Sequence, residues 1–252
     1  MIKEERLKFI KEYLQDHKIL QVQFIVEQLG VTDMTVRRDL KILENEGFLQ
    51  RIHGGAKLNE VNNLSKIELS HREKKNRNLS QKHEIAKKMA AKIEDNDIIF
   101  LGTGTTTELV YDYLDVDNLK IITNSIFVFD KFKNDDHYDL ILIGGNYRSL
   151  TGAFIGTIAS DFIKNIYIQK AFIGVNALDE NYLYNSNEDE GDIQRIALNN
   201  AKEKYIVADD SKFGTQDFYR FYEIGDADQM ITNKDNQSEL LESLKNKISI
   251  IK

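Results

Sequence analysis

The sequence predicts an α/β protein: a doubly wound, mostly parallel sheet preceded by a small helical module that ends in a hairpin. Three observations carry that expectation. From residue 97 onward, seven short apolar runs alternate with helical stretches, as strands and crossover helices of a parallel sheet do. The first 58 residues instead show three short helical periods and then a Gly-Gly hairpin signal. Charge divides the chain in a similar way. Residues 1–92 carry 19 Lys/Arg against 13 Asp/Glu, a net of +6, and residues 93–252 carry 15 against 28, a net of −13. A polyanionic partner is therefore expected at the front end.

Composition narrows the class. At 41% hydrophobic and 30% charged residues, the 252-residue chain has apolar mass for a real core. No run approaches 18 uncharged apolar residues, and MIKEERLKF has no apolar signal-peptide segment, so a cytoplasmic location without membrane contact is expected. The absence of cysteine excludes disulfide and thiolate chemistry. His17, His53, His71, His83 and His137 are scattered without metal-ligand spacing, and there is no nucleophile elbow. No cofactor or metal is expected, and nothing demands catalysis.

Residues 1–58 divide into elements as follows. Leu7, Ile10 and Leu14 recur at helical spacing and predict an amphipathic helix from residue 3 to about 16. A shorter helix fits QFIVEQL, closed by Gly30 in the left-handed position. Thr32 suits the N-cap of a third helix, and Asp33 lies in its first turn, where the helix dipole favours a carboxylate. On a helical wheel Val36, Leu40 and Leu43 form a narrow apolar arc. Arg38 falls almost opposite, flanked by Met34, Lys41 and Asn45, with Thr35 and Arg37 on the shoulders. Gly47 is expected to end this helix. FLQRIHGGA then predicts a small β-wing presenting Arg51 and His53.

An arginine pair on an amphipathic helix is most often a solvated face. Two short helices, a tight turn, a Thr-capped third helix and a hairpin together describe a winged helix-turn-helix, whose third helix enters the DNA major groove. Thr32, Met34, Thr35, Arg37, Arg38, Lys41, Arg51 and His53 are the expected DNA-facing residues. Either arginine of the pair can read bases, because the wheel fixes direction and not depth.

Residues 59–76 are polar and without periodicity, and are expected to be a linker whose basic cluster, Arg72 to Arg77, is solvated. Ser80 is expected to cap a helix over QKHEIAKKMAAKI. The remainder, 77–252, holds the strands DIIFL, LKIIT, DLILIGG, KAFIGV, EKYIVA, QMIT and ISII. Helices are expected at 106–114, 125–134, 153–165, 188–202 and 238–246.

Ligands in such sheets bind at the carboxyl ends of the strands. After DIIFL comes Gly102-Thr103-Gly104-Thr105-Thr106-Thr107, then a helix. The glycines let backbone N–H groups converge, and the helix start adds positive potential. That is a phosphate cradle, although a bare Gly-Thr-Gly is often only a tight turn. Asn124, Arg148, Asn176, Asp209 and Lys212 also follow predicted strands. SNEDEG, residues 186–191, is expected to cap the helix that begins there; the alternative is that its acids, Glu188 among them, bind sugar hydroxyls. Singly each is an ordinary turn residue; together at one sheet edge they describe a polar pocket.

The motifs TDMTVRRDLKILENEGFLQRIHGGA, LGTGTTTELV, IITNS, LIGGNYRSLTGAFIG, KAFIGVNAL and YIVADDSKFG, in this order, resemble the DeoR family of bacterial sugar-metabolism repressors along nearly the whole chain. The resemblance implies a sensor domain similar to ribose-5-phosphate isomerase and a homo-oligomer, dimer or tetramer, released from operator DNA by a phosphorylated sugar. The stretches AFIGVNALDENYLYNSNEDEG and YIVADDSKFGTQDFYRFYEI are most similar to its lactose-utilisation branch, which implies tagatose 6-phosphate as effector. Siblings answering fructose 1-phosphate share most of these motifs. A sugar-phosphate isomerase with a DNA-binding appendage is the alternative from another class.

Overall fold

The computed structural model describes residues 3–45, 48–58, 68–233 and 239–252. The chain divides into two compact units, Met1–Lys66 and Ile67–Lys252. The expected end of the third helix at Gly47 and the first part of the expected linker, 59–67, lie outside the described residues.

The first unit runs α1 (Lys3–His17), β1 (Ile19–Gln21), α2 (Val22–Leu29), α3 (Asp33–Asn45), β2 (Leu49–Ile52) and β3 (Gly55–Leu58). Its core is the set of apolar stripes read from the sequence: Ile10, Leu14, Ile25, Val36, Leu40 and Leu43 are all fully buried. Gly30 adopts φ +61° as the C-cap of α2, and the Thr32 hydroxyl accepts from the Thr35 amide at 3.3 Å. The hairpin β2–β3 forms as expected. Strand β1 was not anticipated. It pairs antiparallel with β3 and completes a three-stranded sheet in the order β1-β3-β2. Only three residues long, with one side chain buried, it has no periodicity to detect.

The second unit begins with α4 (His71–Lys75) and α5 (Leu79–Ala90), followed by β4 (Ile98–Leu101) and a 3-10 helix, Thr107–Tyr113. Then come β5 (Leu119–Thr123), α6 (Ile126–Phe132), β6 (Tyr138–Leu142), β7 (Asn146–Arg148), β8 (Ala153–Ile155), α7 (Thr157–Ile163) and β9 (Ile168–Gly174). The chain continues with β10 (Ala177–Leu178), β11 (Tyr182–Asn185), α8 (Glu188–Asn200), β12 (Ala201–Val207), β13 (Tyr219–Glu223), β14 (Gln229–Ile231), α9 (Glu239–Lys245) and β15 (Ser249–Ile251).

Seven strands form one parallel sheet in the order β15-β14-β12-β9-β4-β5-β6. These are the seven apolar runs. Buried aliphatic and aromatic side chains cover both faces, as crossover helices on both sides require. From β4 the chain winds outward through β5 and β6, then returns to β4's other side with β9. The strand order therefore reverses at β4, which opens a crevice at its carboxyl end.

Several expectations need correction. Residues 107–113 form a 3-10 helix, in keeping with the weak α propensity of the β-branched and aromatic sequence TELVYDY. The stretch 153–165 is not one helix, because Ala153–Ile155 pairs antiparallel with β7 before α7 begins. Gly152, at φ +70°, makes that turn. A second antiparallel sheet, β10-β11-β13, went unread because its strands are only two to five residues long. Helix α8 stops at Asn200, and β12 starts at the next residue. The N-cap of α5 is Asn78, not Ser80. The later part of the expected linker is structured: Ser70 forms a capping box with Glu73 at the start of α4 and His71 is buried, while Arg72, Lys75 and Arg77 of the basic cluster are exposed.

Candidate functional site

In the first unit, α3 turns one polar face to solvent. Met34 is 72% exposed, and Arg37, Arg38 and Lys41 are exposed around it. The two arginines differ in their bonding. Arg37 is clamped to Asp33 one turn back, Nη2 to Oδ2 at 3.3 Å, and this pairing raises its pKa further. Arg38 makes no hydrogen bond or ion pair among the described residues. Thr32 and Thr35 bond each other through their hydroxyls at 2.9 Å. At the wing, the Arg51 Nε donates to Glu44 at 2.7 Å, which ties β2 to α3, and His53 is exposed at the hairpin turn. Sequence reading missed Asp39. It is buried and accepts from Arg6 Nε at 2.7 Å, so it orients α3 against α1.

In the second unit, the crevice at β4 collects most of the expected ligand residues. Gly102 leaves β4 with its N–H bonded to the Phe172 carbonyl at 3.0 Å. A Cβ there would lie 3.1 Å from the Ile173 side chain, so glycine permits this close passage. The buried Thr107 hydroxyl donates inward to the carbonyls of Gly102 and Gly104, at 2.7 and 2.8 Å. It therefore holds the loop's shape and is not itself a free donor. No acceptor takes the N–H groups of Thr103, Gly104, Thr105, Thr106 or Thr107 among the described residues. Thr103 donates to the Asn124 Oδ1 at 3.3 Å, which brings Asn124 to the loop.

Three ammonium groups cluster in the same unit. Lys212 follows β12; its amide donates to the Asp209 carbonyl at 3.0 Å, and its ammonium has no hydrogen-bond or ion-pair partner among the described residues. Lys82, on α5, is buried; its Nζ donates to the Lys74 carbonyl. Burial holds the Lys82 pKa down to about 8, with Asp209 pulling it up and Lys212 pushing it down. Lys74, on α4, donates to the Asn176 Oδ1 at 3.1 Å and lies 3.6 Å from Glu68. Its pKa is also lowered, by burial first, with Glu68 opposing and Lys212 adding to the fall. Neither Lys74 nor Lys82 was anticipated. Lys74 lies in a short polar helix without an apolar stripe; Lys82 shares the buried face of α5 with Ile85, Ala86 and Met89, a helical spacing that could have marked it.

The carboxylates of the site are engaged. Buried Asp209 accepts from the Asn78 side chain at 3.1 Å and from the Ser211 amide at 3.0 Å. Arg148 bonds Glu68 and Glu190, in the latter case at 3.1 Å. Burial raises the Glu190 pKa against the pull of Thr151 and Arg148. Glu188 is exposed in the first turn of α8, and Glu190, two residues on, is the buried carboxylate. The Asn187 side chain caps α8 by accepting from the Glu190 amide at 3.0 Å.

Residues 6–62 match the DeoR-like helix-turn-helix domain, and residues 77–234 match the DeoR C-terminal sensor domain. The chain belongs to the DeoR family. Its two units are thus the family's DNA-binding helix-turn-helix and its sensor domain. Among curated relatives, the lactose phosphotransferase system repressor of Streptococcus mutans serotype c is 39% identical over 242 residues, 95% of this chain and 96% of the relative. The repressor of the same name from Lactococcus lactis subsp. lactis is 39% identical over 257 residues, covering 100% and 99%. The one from Staphylococcus aureus is 38% identical over 253 residues, all of both chains. Among solved structures, ribose 5-phosphate isomerase A from Methanocaldococcus jannaschii matches with TM-score 0.38 and 20% identity over 54% of this chain and 55% of its own. The eIF2B beta subunit from Chaetomium thermophilum matches at TM-score 0.45 and 13% identity, covering 67% and 54%. At such scores the likeness is partial and says nothing of function. Among the described residues, no helix is long and apolar enough to cross a membrane, and no group of His, Asp or Glu could hold a metal ion.

Proposed function

We propose that this DeoR-family protein is a cytoplasmic repressor of a sugar-utilisation operon, binding its operator as a homo-oligomer and released by a phosphorylated sugar. The full-length relatives named for lactose favour a lactose or galactose operon and tagatose 6-phosphate as effector. The observation that carries the sensor reading is the clustering of Lys74, Lys82 and Lys212, in the same unit as a strand-end loop whose N–H groups from Thr103 to Thr107 have no acceptor among the described residues. Ammonium groups and converging amides at a strand end suit a phosphate dianion. Asn176 and Arg148 then face the sugar end, and Asp209 holds the wall through Asn78.

Binding without turnover fits the carboxylates. An isomerase needs a carboxylate base free above the sugar. Asp209 accepts from protein donors through Oδ1 and Glu190 through Oε1, and Glu188 is exposed. On the DNA side, Arg38 with Met34 and Lys41 forms the reading face, while Thr32, Thr35, Arg37, Arg51 and His53 position the module. A single winged helix buries too little surface for tight specific binding, so two copies on paired half-sites are required.

The test is fluorescence anisotropy of the full chain on an operator duplex selected from a random library, with and without tagatose 6-phosphate. Release by the sugar phosphate and not by free tagatose supports the reading. Steady conversion of ketose or aldose phosphates would overturn it in favour of an enzyme.

A further inference from the structure

The segment that enters the sensor unit from the DNA-binding side is built into the same pocket. Glu68 bonds Arg148, and Ser70 and Glu73 close the capping box that starts α4. The amide of His71 donates to the Leu150 carbonyl at 2.8 Å. Its buried ring stacks on Phe127, with centroids 3.6 Å apart, and Nε2 lies 2.8 Å from the Glu108 Oε2. Glu108 directly follows Thr107, so His71 latches onto the end of the Gly-Thr loop. The other oxygen, Oε1, is buried without a hydrogen-bond partner among the described residues and lies 3.5 Å from the Lys75 ammonium. Lys74, one turn on, donates to Asn176, and its carbonyl accepts a hydrogen bond from the Lys82 ammonium.

From this we infer that residues 68–75 are the element through which pocket occupancy reaches the DNA-binding unit, with His71 as the positioning residue that latches it. The inference rests on the effector reading above. A dianion attracts the ammonium groups of Lys74 and Lys82 at once. The dianion competes with the Asn176 Oδ1 for Lys74 and with the Lys74 carbonyl for Lys82, which weakens both bonds. The first holds the segment to the end of β9 and the second holds it to α5. The segment is covalently continuous with the first unit, and along that connection we place the coupling. A ligand shifts DNA affinity only by its unequal affinity for two states, and the held and released segment supplies them.

Two measurements on the full chain test this. In the wild type, hydrogen exchange is followed with and without tagatose 6-phosphate. Saturation should slow exchange of the amides of residues 103–107 and speed exchange at His71 and Lys74 at least threefold. Slowing at the loop with the segment within twofold of its unliganded rate overturns this inference and leaves the effector reading standing. No change at the loop overturns the reading itself, and this inference with it. In His71→Ala, the sugar phosphate should still raise Tm as in wild type, while the at least tenfold loss of operator affinity it causes shrinks below twofold. His71→Gln, which keeps an N–H toward Glu108, should recover part of that ratio. Full release by the ligand in His71→Ala, or loss of ligand binding along with release, would refute the latch.

Discussion

Lys74 donates to the Oδ1 of Asn176 at 3.1 Å, joining the first helix of the sensor unit to the carboxyl end of β9 across 102 residues of chain. The bond places an ammonium at a sheet edge where the parallel strands supply only backbone and short polar side chains. With Lys212 just past β12 and Lys82 on α5, it belongs to a cluster of three ammonium groups within an acidic domain, among the carboxylates of Glu68, Glu190 and Asp209.

Lys212→Glu reverses the one ammonium of the three that has no protein partner among the described residues. We predict that tagatose 6-phosphate then fails to release operator DNA, while affinity without the sugar stays within about twofold of wild type. A tenfold release corresponds to about 1.4 kcal/mol of unequal affinity, and this variant should lose all of it. Anisotropy titrations with and without the sugar check it. Release by the variant at wild-type concentrations would place the effector site elsewhere.

Effector affinity should depend on pH through Lys82. Its folded pKa, about 8, lies below the ordinary lysine value of 10.5, so it gives up its proton as pH rises through 8. A phosphate monoester gains its second charge near pH 6, as an order of magnitude. Binding should therefore be tightest between about pH 6 and 8 and weaken above 8. The bound dianion favours the charged lysine, so calorimetry above pH 8 should record proton uptake on binding. Affinity that stays flat from pH 7 to 9.5 would remove Lys82 from the site.

Much of this site was legible in the sequence, and the remainder was hidden for physical reasons. Gly102 to Thr107, Asn124, Asn176, Asp209 and Lys212 stand at strand ends, which apolar runs mark clearly. Lys82 shares the buried face of α5 with Ile85, Ala86 and Met89, a spacing that could have marked it. Lys74 lies on a short helix in a polar stretch, where a partner such as Asn176 is set by sheet closure and leaves no local trace. Glu188 and Glu190 show the same limit at finer grain. Two acids in one helical turn look alike until packing of α8 buries one of them. In the first unit, the wheel found the core of α3, but Asp39 could be understood only through Arg6 on another helix.

Burying Lys82 costs stability, because the folded state disfavours its charged form. Below pH 8 the lysine is charged in both folded and unfolded chains. Between pH 8 and 10.5 the unfolded chain keeps a proton that the folded one has lost, so the folded state gains with rising pH. Lys82→Met should therefore raise Tm at pH 7 by about 2–4 °C, the scale of 1 kcal/mol for a domain of this size. It should also abolish the stabilisation by tagatose 6-phosphate. A thermal-shift series at pH 7 and pH 9.5 reads both effects, and the gain in Tm should be smaller at pH 9.5. A variant less stable than wild type at pH 7 would mean that the bond to the Lys74 carbonyl outweighs desolvation.

Arg37 and Arg38 are adjacent, yet they should behave differently on DNA. Arg37 is held by Asp33 along the helix, so reaching a base requires breaking that pairing. Arg38 is unencumbered and projects opposite Val36, Leu40 and Leu43, the residues that fix α3 to the core. A guanidinium in that position can bridge the O6 and N7 of guanine. Arg38→Ala should cost about 1–3 kcal/mol on operator and much less on random duplex. Arg37→Ala should weaken both duplexes to a similar, smaller degree, as loss of a backbone contact does. Asp33→Asn separates the two roles. It removes a carboxylate facing a polyanion and frees Arg37, so binding to random duplex should strengthen while preference for operator falls. Salt titrations of all three variants complete the comparison, because a lost phosphate contact lowers the salt slope by about one and a lost base contact leaves it unchanged. Equal losses for Arg38→Ala on both duplexes, with a reduced slope, would assign the reading role to Arg37.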